Sequence, residues 1–255
     1  MSYKLINIGL IYYPSVRVIA YFNVFEKLGL VPSEIILMKG EIPHIEEIRK
    51  EDKKYDYSNT FFNVDLDIKK YFKNAGTKIF TIDGTGINDV SVKHALKKCR
   101  NKYFIFSGGG TLDGDFFNMD KEFIHVHPGL LPSFRGSTCF YYSLLADYSL
   151  ASTGFIMEKK IDTGKILDYS RFRLNYKIAQ SENFYMDYIL DPYIRAVTLK
   201  KILLTFITYG EFHPKPQLHT DKPSYYVMHP ILRCITMQKI NKNYNRNSAR
   251  GIIEI

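Results

Sequence analysis

Between Leu5 and Tyr169, apolar runs of strand length alternate with helix-patterned segments, and nothing else constrains the fold as strongly. Leu5 to Tyr12 reads as a buried strand, and Val16 to Leu28 carries apolar residues at helical spacing up to a Gly29 C-cap. Glu34 to Met38 is the next strand, Glu41 to Tyr57 a charged, exposed helix, and Val64 to Asn74 a helix stopped by Gly76. Strands at Thr77 to Ile82 and Lys102 to Phe106 flank a helix at Val90 to Lys98. A strand at Phe123 to His127, a helix at Thr138 to Asp147 capped by Ser137 or Thr138, and strands at Ser152 to Met157 and Lys165 to Tyr169 follow. Such alternation predicts an α/β fold, Rossmann-like, with a mostly parallel open sheet and helices on both faces. Right-handed crossovers then place the strand carboxyl ends, and the loops at 12–17, 83–89, 107–111, 127–137 and 158–164, on one edge.

Beyond Arg173 the pattern changes. Asp191-Pro192 opens an amphipathic helix over Tyr193 to Ile207, and Gly210 to Ser224 reads as a proline-containing loop ordered against the body or a linker. Tyr225 to Ile255 is compatible with short strands or a final helix. The expected organisation is a catalytic domain over 1–175 and a small C-terminal helix and extension over 176–255. The formal charge of +9 favours an anionic partner, but no arginine-rich run accompanies it, so nucleic acid is not the expected one. Cys99, Cys139 and Cys234 form no CxxC pair and suit a reducing cytoplasm. The N-terminal apolar run lacks the layout of a signal peptide, and no stretch is long and apolar enough to span a membrane, so a cytoplasmic location is expected.

The chemistry concentrates in Phe123 to Gly136, FIHVHPGLLPSFRG. A strand period of two puts His125 and His127 on one face, and Pro128 ends the pairing where the histidines emerge. Asp162, in the turn Ile161-Asp162-Thr163-Gly164, can bring a carboxylate to the same edge. A carboxylate beside an imidazole orients it and raises its pKa, keeping it protonated near neutral pH. Such a pair can take the proton of an amine nucleophile and steady an oxyanion. No nucleophilic Ser or Cys stands beside it, so direct transfer fits better than a covalent acyl-enzyme. His125, His127 and Asp162 are equally a potential ligand set for zinc or iron, and one histidine can simply be a bonded core residue. Elsewhere, Ser107-Gly108-Gly109-Gly110 permits close backbone approach to a ligand, yet neither GxGxxG nor a P-loop is present. Ser15 and Arg17, at the start of the first helix, are candidate phosphate contacts.

His127-Pro128-Gly129-Leu130-Leu131-Pro132-Ser133-Phe134-Arg135-Gly136 resembles the His-x-Ser-Leu-Leu-Pro-x-x-x-Gly signature of the formyltransferases dependent on N10-formyltetrahydrofolate. Ile161-Asp162-Thr163-Gly164 resembles their second signature, and the two together cover about residues 100–170. The resemblance is greatest to the sugar N-formyltransferases. It implies His127 and Asp162 as catalytic histidine and aspartate, with His125 standing where the family has asparagine. Gly129 replaces the usual serine. The family uses no metal. By the same resemblance N10-formyltetrahydrofolate, as co-substrate, meets the 83–89 and 158–164 loops, with Asp83, Gly84, Gly86, Leu130, Thr163 and Gly164 as its expected contacts. The acceptor, a primary amine on a nucleotide-linked amino sugar, is expected against Tyr12, Tyr13, Ser15, Arg17, Gly109 and Tyr141, with Tyr142 beside it. A homodimer is among the assemblies the sequence allows. The alternative activities are initiator-tRNA formylation, for which the C-terminal part looks short, and formyltetrahydrofolate hydrolysis. A ligand-binding protein without turnover and a metallohydrolase stand outside that class.

Overall fold

A computed structural model describes residues 3–73, 76–84, 86–175, 183–244 and 251–255. The chain divides into two compact units, Met1–His125 and Val126–Ile255.

In the first unit β1 (Lys4–Tyr12), β2 (Leu30–Met38), β3 (Lys78–Ile82), β4 (Tyr103–Phe106) and β5 (Glu122–His127, whose last two residues belong to the second unit) pair in parallel. Pairings β3 with β2, β2 with β1, β1 with β4 and β4 with β5 give the order β3-β2-β1-β4-β5. The order reverses between β1 and β4, which makes their carboxyl ends the switch point of this open parallel array. Apolar runs such as Ile8, Leu10 and Ile11 of β1 and Phe104 to Phe106 of β4 are buried, as expected for strands covered on both faces. Helix α1 (Val16–Leu28) ends where expected: Gly29 takes φ 64°, and its N–H closes onto Glu26 and Phe25 carbonyls. Helix α2 (Ile45–Tyr55) and helix α3 (Val90–Lys98) follow, the latter capped by Asp89, whose carboxylate accepts from Ser91 N.

The second unit holds β6 (Ser149–Ile156), β7 (Ile166–Asn175) and β8 (Gly251–Glu254), paired antiparallel in the order β6-β7-β8. Helices α4 (Cys139–Asp147), α5 (Asp191–Tyr209) and α6 (Pro230–Lys242) accompany them. The described strands are thus mostly parallel, in a mixed α/β fold.

Several expectations differ in detail. Of the helix expected over 64–74, one turn forms, Lys69–Phe72, and Asn74 lies outside the described residues. The chain before it is drawn out of helical register by a reciprocal amide exchange: Asn63 N donates to Asn23 Oδ1, and Asn23 Nδ2 to Asn63 O. Neither Ser137 nor Thr138 caps α4 through its side chain; Thr138 adopts φ 51°, and its hydroxyl instead accepts from Met228 N. The C-terminal stretch forms α6 and β8, so helix and strand are both present, with 245–250 outside the described residues. The expected 175/176 boundary adjoins residues 176–182, and Thr85 of the 83–89 loop stands alone; both also fall outside them.

Candidate active site

His127 closes β5 and is 2% exposed. Both ring nitrogens face acceptors: Nε2 lies 2.8 Å from the Phe134 carbonyl oxygen and Nδ1 3.3 Å from Asp162 Oδ2. A carbonyl can only accept, so Nε2 carries a proton; Nδ1 donates to the carboxylate when the ring is charged and turns a lone pair toward it when the ring is neutral. Burial, the largest cause, pushes the His127 pKa below its ordinary value; Arg195 pushes the same way, and Asp162 opposes both. The direction is opposite to that expected from the motif, because burial outweighs the carboxylate.

The loop after His127 is braced from within the unit. Thr153 Oγ1, fully buried on β6, donates to Gly129 O at 2.7 Å and accepts from Leu131 N at 3.1 Å. A Cβ on Gly129 would lie 3.0 Å from each of His127 Nε2, Phe134 O and Cys139 Cβ, so glycine leaves the space in which ring and carbonyl meet. Gly136, at φ 100°, sits in the region only glycine adopts readily, and its N–H donates to Asp162 Oδ2 at 2.8 Å. Asp162 itself has φ 53°. Gly164 packs so tightly on the end of β6 that a Cβ there would fall 1.7 Å from Ile156 O. Thr163 Oγ1 turns back to Lys160 O, and Leu130 is half-buried.

Arg195 of α5 is buried beneath this loop. Its Nε meets both Asp191 carboxylate oxygens at 3.0 Å, and Nη1 donates to Val126 O at 2.5 Å. Tyr141, expected to line the acceptor, is a core residue at 1% exposure: its hydroxyl donates to Asp187 and the Arg233 guanidinium lies 4.8 Å over its ring. Burial pushes its phenol up. Tyr142, half-buried, is the ring of this pair that remains accessible. Cys139 is buried with its thiol pushed up to about 12, and so offers no thiolate.

The other expected contacts lie in the first unit. Ser107 Oγ donates to Ile11 O and accepts from Tyr13 N, tying the β4 loop to the end of β1. Arg17 Nη1 donates to Gly108 O at 2.6 Å, so the side chain expected to meet a phosphate also secures the glycine loop. The Ser15 hydroxyl makes long contacts, 3.4 Å to Tyr13 O and 3.5 Å to Ser107 O. Tyr12 packs edge-on to Phe72, and burial raises its phenol pKa. Gly109 is exposed, with open space at its Cβ position. The Asp83 carboxylate pairs with Lys39 at 2.6 Å on the surface, Gly84 backs onto the Asp89 cap, and Gly86 is half-buried. His125 is half-buried, its ring 5.8 Å from that of Phe106.

No family model and no curated protein matches the sequence. Solved structures do match. The phosphoribosylglycinamide formyltransferase of Campylobacter jejuni aligns with 80% of this chain and 99% of its own, at 15% identity and TM-score 0.51. A 4-N formyltransferase from Francisella tularensis aligns with 99% of this chain and 97% of its own, at 13% identity and TM-score 0.50. The chain has the formyltransferase fold. It also matches a variant of HypX from Aquifex aeolicus at 13% identity and TM-score 0.52, covering 93% of itself but spanning only 36% of that protein. Among the described residues no group of three or more His, Cys, Asp or Glu side chains is placed to hold a metal, and no helix is long and apolar enough to cross a membrane.

Thr153 and Arg195 had no signal in the sequence: one is a small residue in an apolar strand, the other a cation on an amphipathic helix. Only their position marks them.

Proposed function

We propose that the chain is an N-formyltransferase that moves the formyl group of N10-formyltetrahydrofolate to the primary amine of a nucleotide-linked amino sugar. The observation that carries this reading is the buried His127–Asp162 contact, made by the two segments that resemble the family signatures. The fold is in keeping with it, and so is the near-complete mutual overlap with a 4-N formyltransferase. The donor set also fits a formyl donor: an acid–base pair is present, and the neighbouring thiol is too weakly acidic to serve as a nucleophile. N10-formyltetrahydrofolate, when bound, supplies the activated formyl group, and the turn of Asp162, Thr163 and Gly164 together with Leu130 would hold it.

The chain's own part is proton handling. With Nε2–H committed to Phe134 O, His127 Nδ1, facing Asp162 Oδ2, is the ring nitrogen free to exchange a proton. As the amine bonds to the formyl carbon, the proton it releases would pass to this pair, which would return a proton to N10 as the C–N10 bond breaks and tetrahydrofolate leaves. The Gly136 N–H holds Oδ2 in place throughout. His125, two residues earlier on β5, takes the donor role of the family asparagine toward the formyl oxygen.

The test is a panel of nucleotide-linked amino sugars incubated with N10-formyltetrahydrofolate and read by the mass gain of one formyl group. His127→Ala and Asp162→Ala, folded, should lose transfer. If either retains the wild-type rate, or if no amine in the panel is formylated while the donor is hydrolysed, the reading fails.

A further inference from the structure

We propose that Gln217 is a positioning residue: its side-chain amide holds the Asp162 turn so that the carboxylate faces both His127 and the Gly136 N–H. The residue lies on an extended strap, residues 213–229, that has no helix and only isolated bridges. Gln217 Nε2 donates to two carbonyl oxygens of one turn, Asp162 O at 3.0 Å and Gly164 O at 2.7 Å. One planar NH2 group thereby ties the carbonyl of Asp162, whose backbone is left-handed, to that of Gly164. That conformation is uncommon for a residue with a Cβ, and it persists where the surroundings over-determine it. The two bonds from Gln217 are such surroundings.

The strap is registered at both ends. Two residues before Gln217, Lys215 exchanges both backbone hydrogen bonds with Ile166, each 2.8 Å, directly after the turn. Eight residues after Gln217, Tyr225 N donates to Arg135 O at 2.7 Å, and Tyr225 O accepts from Ser137 N at 2.8 Å. The Tyr225 ring lies between Phe134 and Tyr142, with centroids 5.8 and 4.3 Å away. Gly136, between those two anchored residues, is the donor to Asp162. A single strap therefore grips the turn carrying the carboxylate and the loop carrying its N–H donor. Its consequence for catalysis rests on the formyl-transfer reading; the positioning itself does not.

The experiment reads the His127 ring nitrogens by 15N NMR in the full chain, for wild type, Gln217→Ala, Gln217→Glu and the strap control Leu218→Ala, whose side chain is exposed. Glutamate fills the same space but, as a carboxylate, donates to neither carbonyl. Both Gln217 variants should shift the His127 Nδ1 resonance, and Gln217→Ala should lower the imidazole pKa, since Asp162 is the largest of the groups that raise it; the Phe134 carbonyl, Asp191 and Arg195 stay in place. With the amino sugar that wild type formylates, kcat should fall about 10–100-fold while KM for N10-formyltetrahydrofolate changes less than about threefold. Leu218→Ala should match wild type. Wild-type His127 signals in folded Gln217→Glu overturn the proposal, and so does loss of folding in both Gln217 variants, which would make the strap a stability element. If the resonances shift but wild type transfers no formyl group, the positioning stands and the formyl-transfer reading falls.

Discussion

Substituting Gly164 by alanine tests how rigidly the carboxylate turn is built. An added Cβ would fall 1.7 Å from the Ile156 carbonyl oxygen, whereas carbon and oxygen not formally bonded approach to about 3.3 Å. The obstacle is backbone within β6, not the end of a flexible side chain, so the turn must retreat by roughly 1.6 Å. The hydrogen bond from Ile156 N to Lys165 O, 2.9 Å long and adjoining Gly164, cannot survive that movement. Overpacking of this kind costs about 1–3 kcal/mol, and the lost bond about 1 kcal/mol more. For a chain of this size the sum of about 2–4 kcal/mol lowers the melting temperature by about 5–15 °C. Asp162, two residues upstream, moves with the turn, and displacement of a reacting group by about 1 Å can cost a factor of about 100 in kcat. Circular dichroism melts alongside the mass-gain transfer assay measure both effects. Gly114→Ala, where an added Cβ meets nothing within 4 Å, is the control and should melt within about 1 °C of wild type. A Gly164→Ala protein that melts with the control and transfers at the wild-type rate would refute the close-packing argument.

Because burial holds the His127 pKa below 6.5, the unfolded chain takes up a proton first as pH falls. Its contribution to stability is complete above the unfolded value and is lost as pH drops from there toward the lowered folded value. Urea melts at pH 7.5 and 5.5 should show a larger acid-side loss for wild type than for His127→Asn; equal losses would contradict this. For His125, Asn should retain transfer within a few-fold, as an amide also donates, whereas Ala should lose about 100–1,000-fold in kcat. Equal rates for the two variants would remove His125 from the reaction. Native alkylation with iodoacetamide at pH 8 should add one group per chain, at exposed Cys234, since Cys99 and Cys139 are buried with thiols pushed up to about 12. Mass spectrometry showing modified Cys139 would disprove its inertness.

Much of the fold was legible because its elements are the periodic ones. Helices 16–28 and 90–98 begin and end where their apolar spacing and flanking residues place them. The expected helix over 64–74 failed for the converse reason: its apolar spacing is right, but two asparagines forty positions apart exchange amide bonds and hold the chain open. Strand β7 runs on to Asn175 because Leu174 and Asn175 pair with Ile252 and Gly251, a partner too distant in sequence to suggest it. In the site, His127 and Asp162 could be read from motifs. The bonds that orient them come from Phe134 O, Gly136 N, Thr153 and Gln217, and backbone groups and single amides leave no pattern in a sequence.

Gly129 bears on which nitrogen of His127 does the chemistry. With no side chain there, the ring leans on a carbonyl that cannot donate, and a single tautomer follows. A hydroxyl-bearing residue at 129 would both crowd that contact and offer the ring a partner able to give or accept a proton. Two tautomers would then compete where one is now imposed. The smallest residue in the motif thus acts as a polarity key: one missing hydroxymethyl group decides which face of the imidazole is basic.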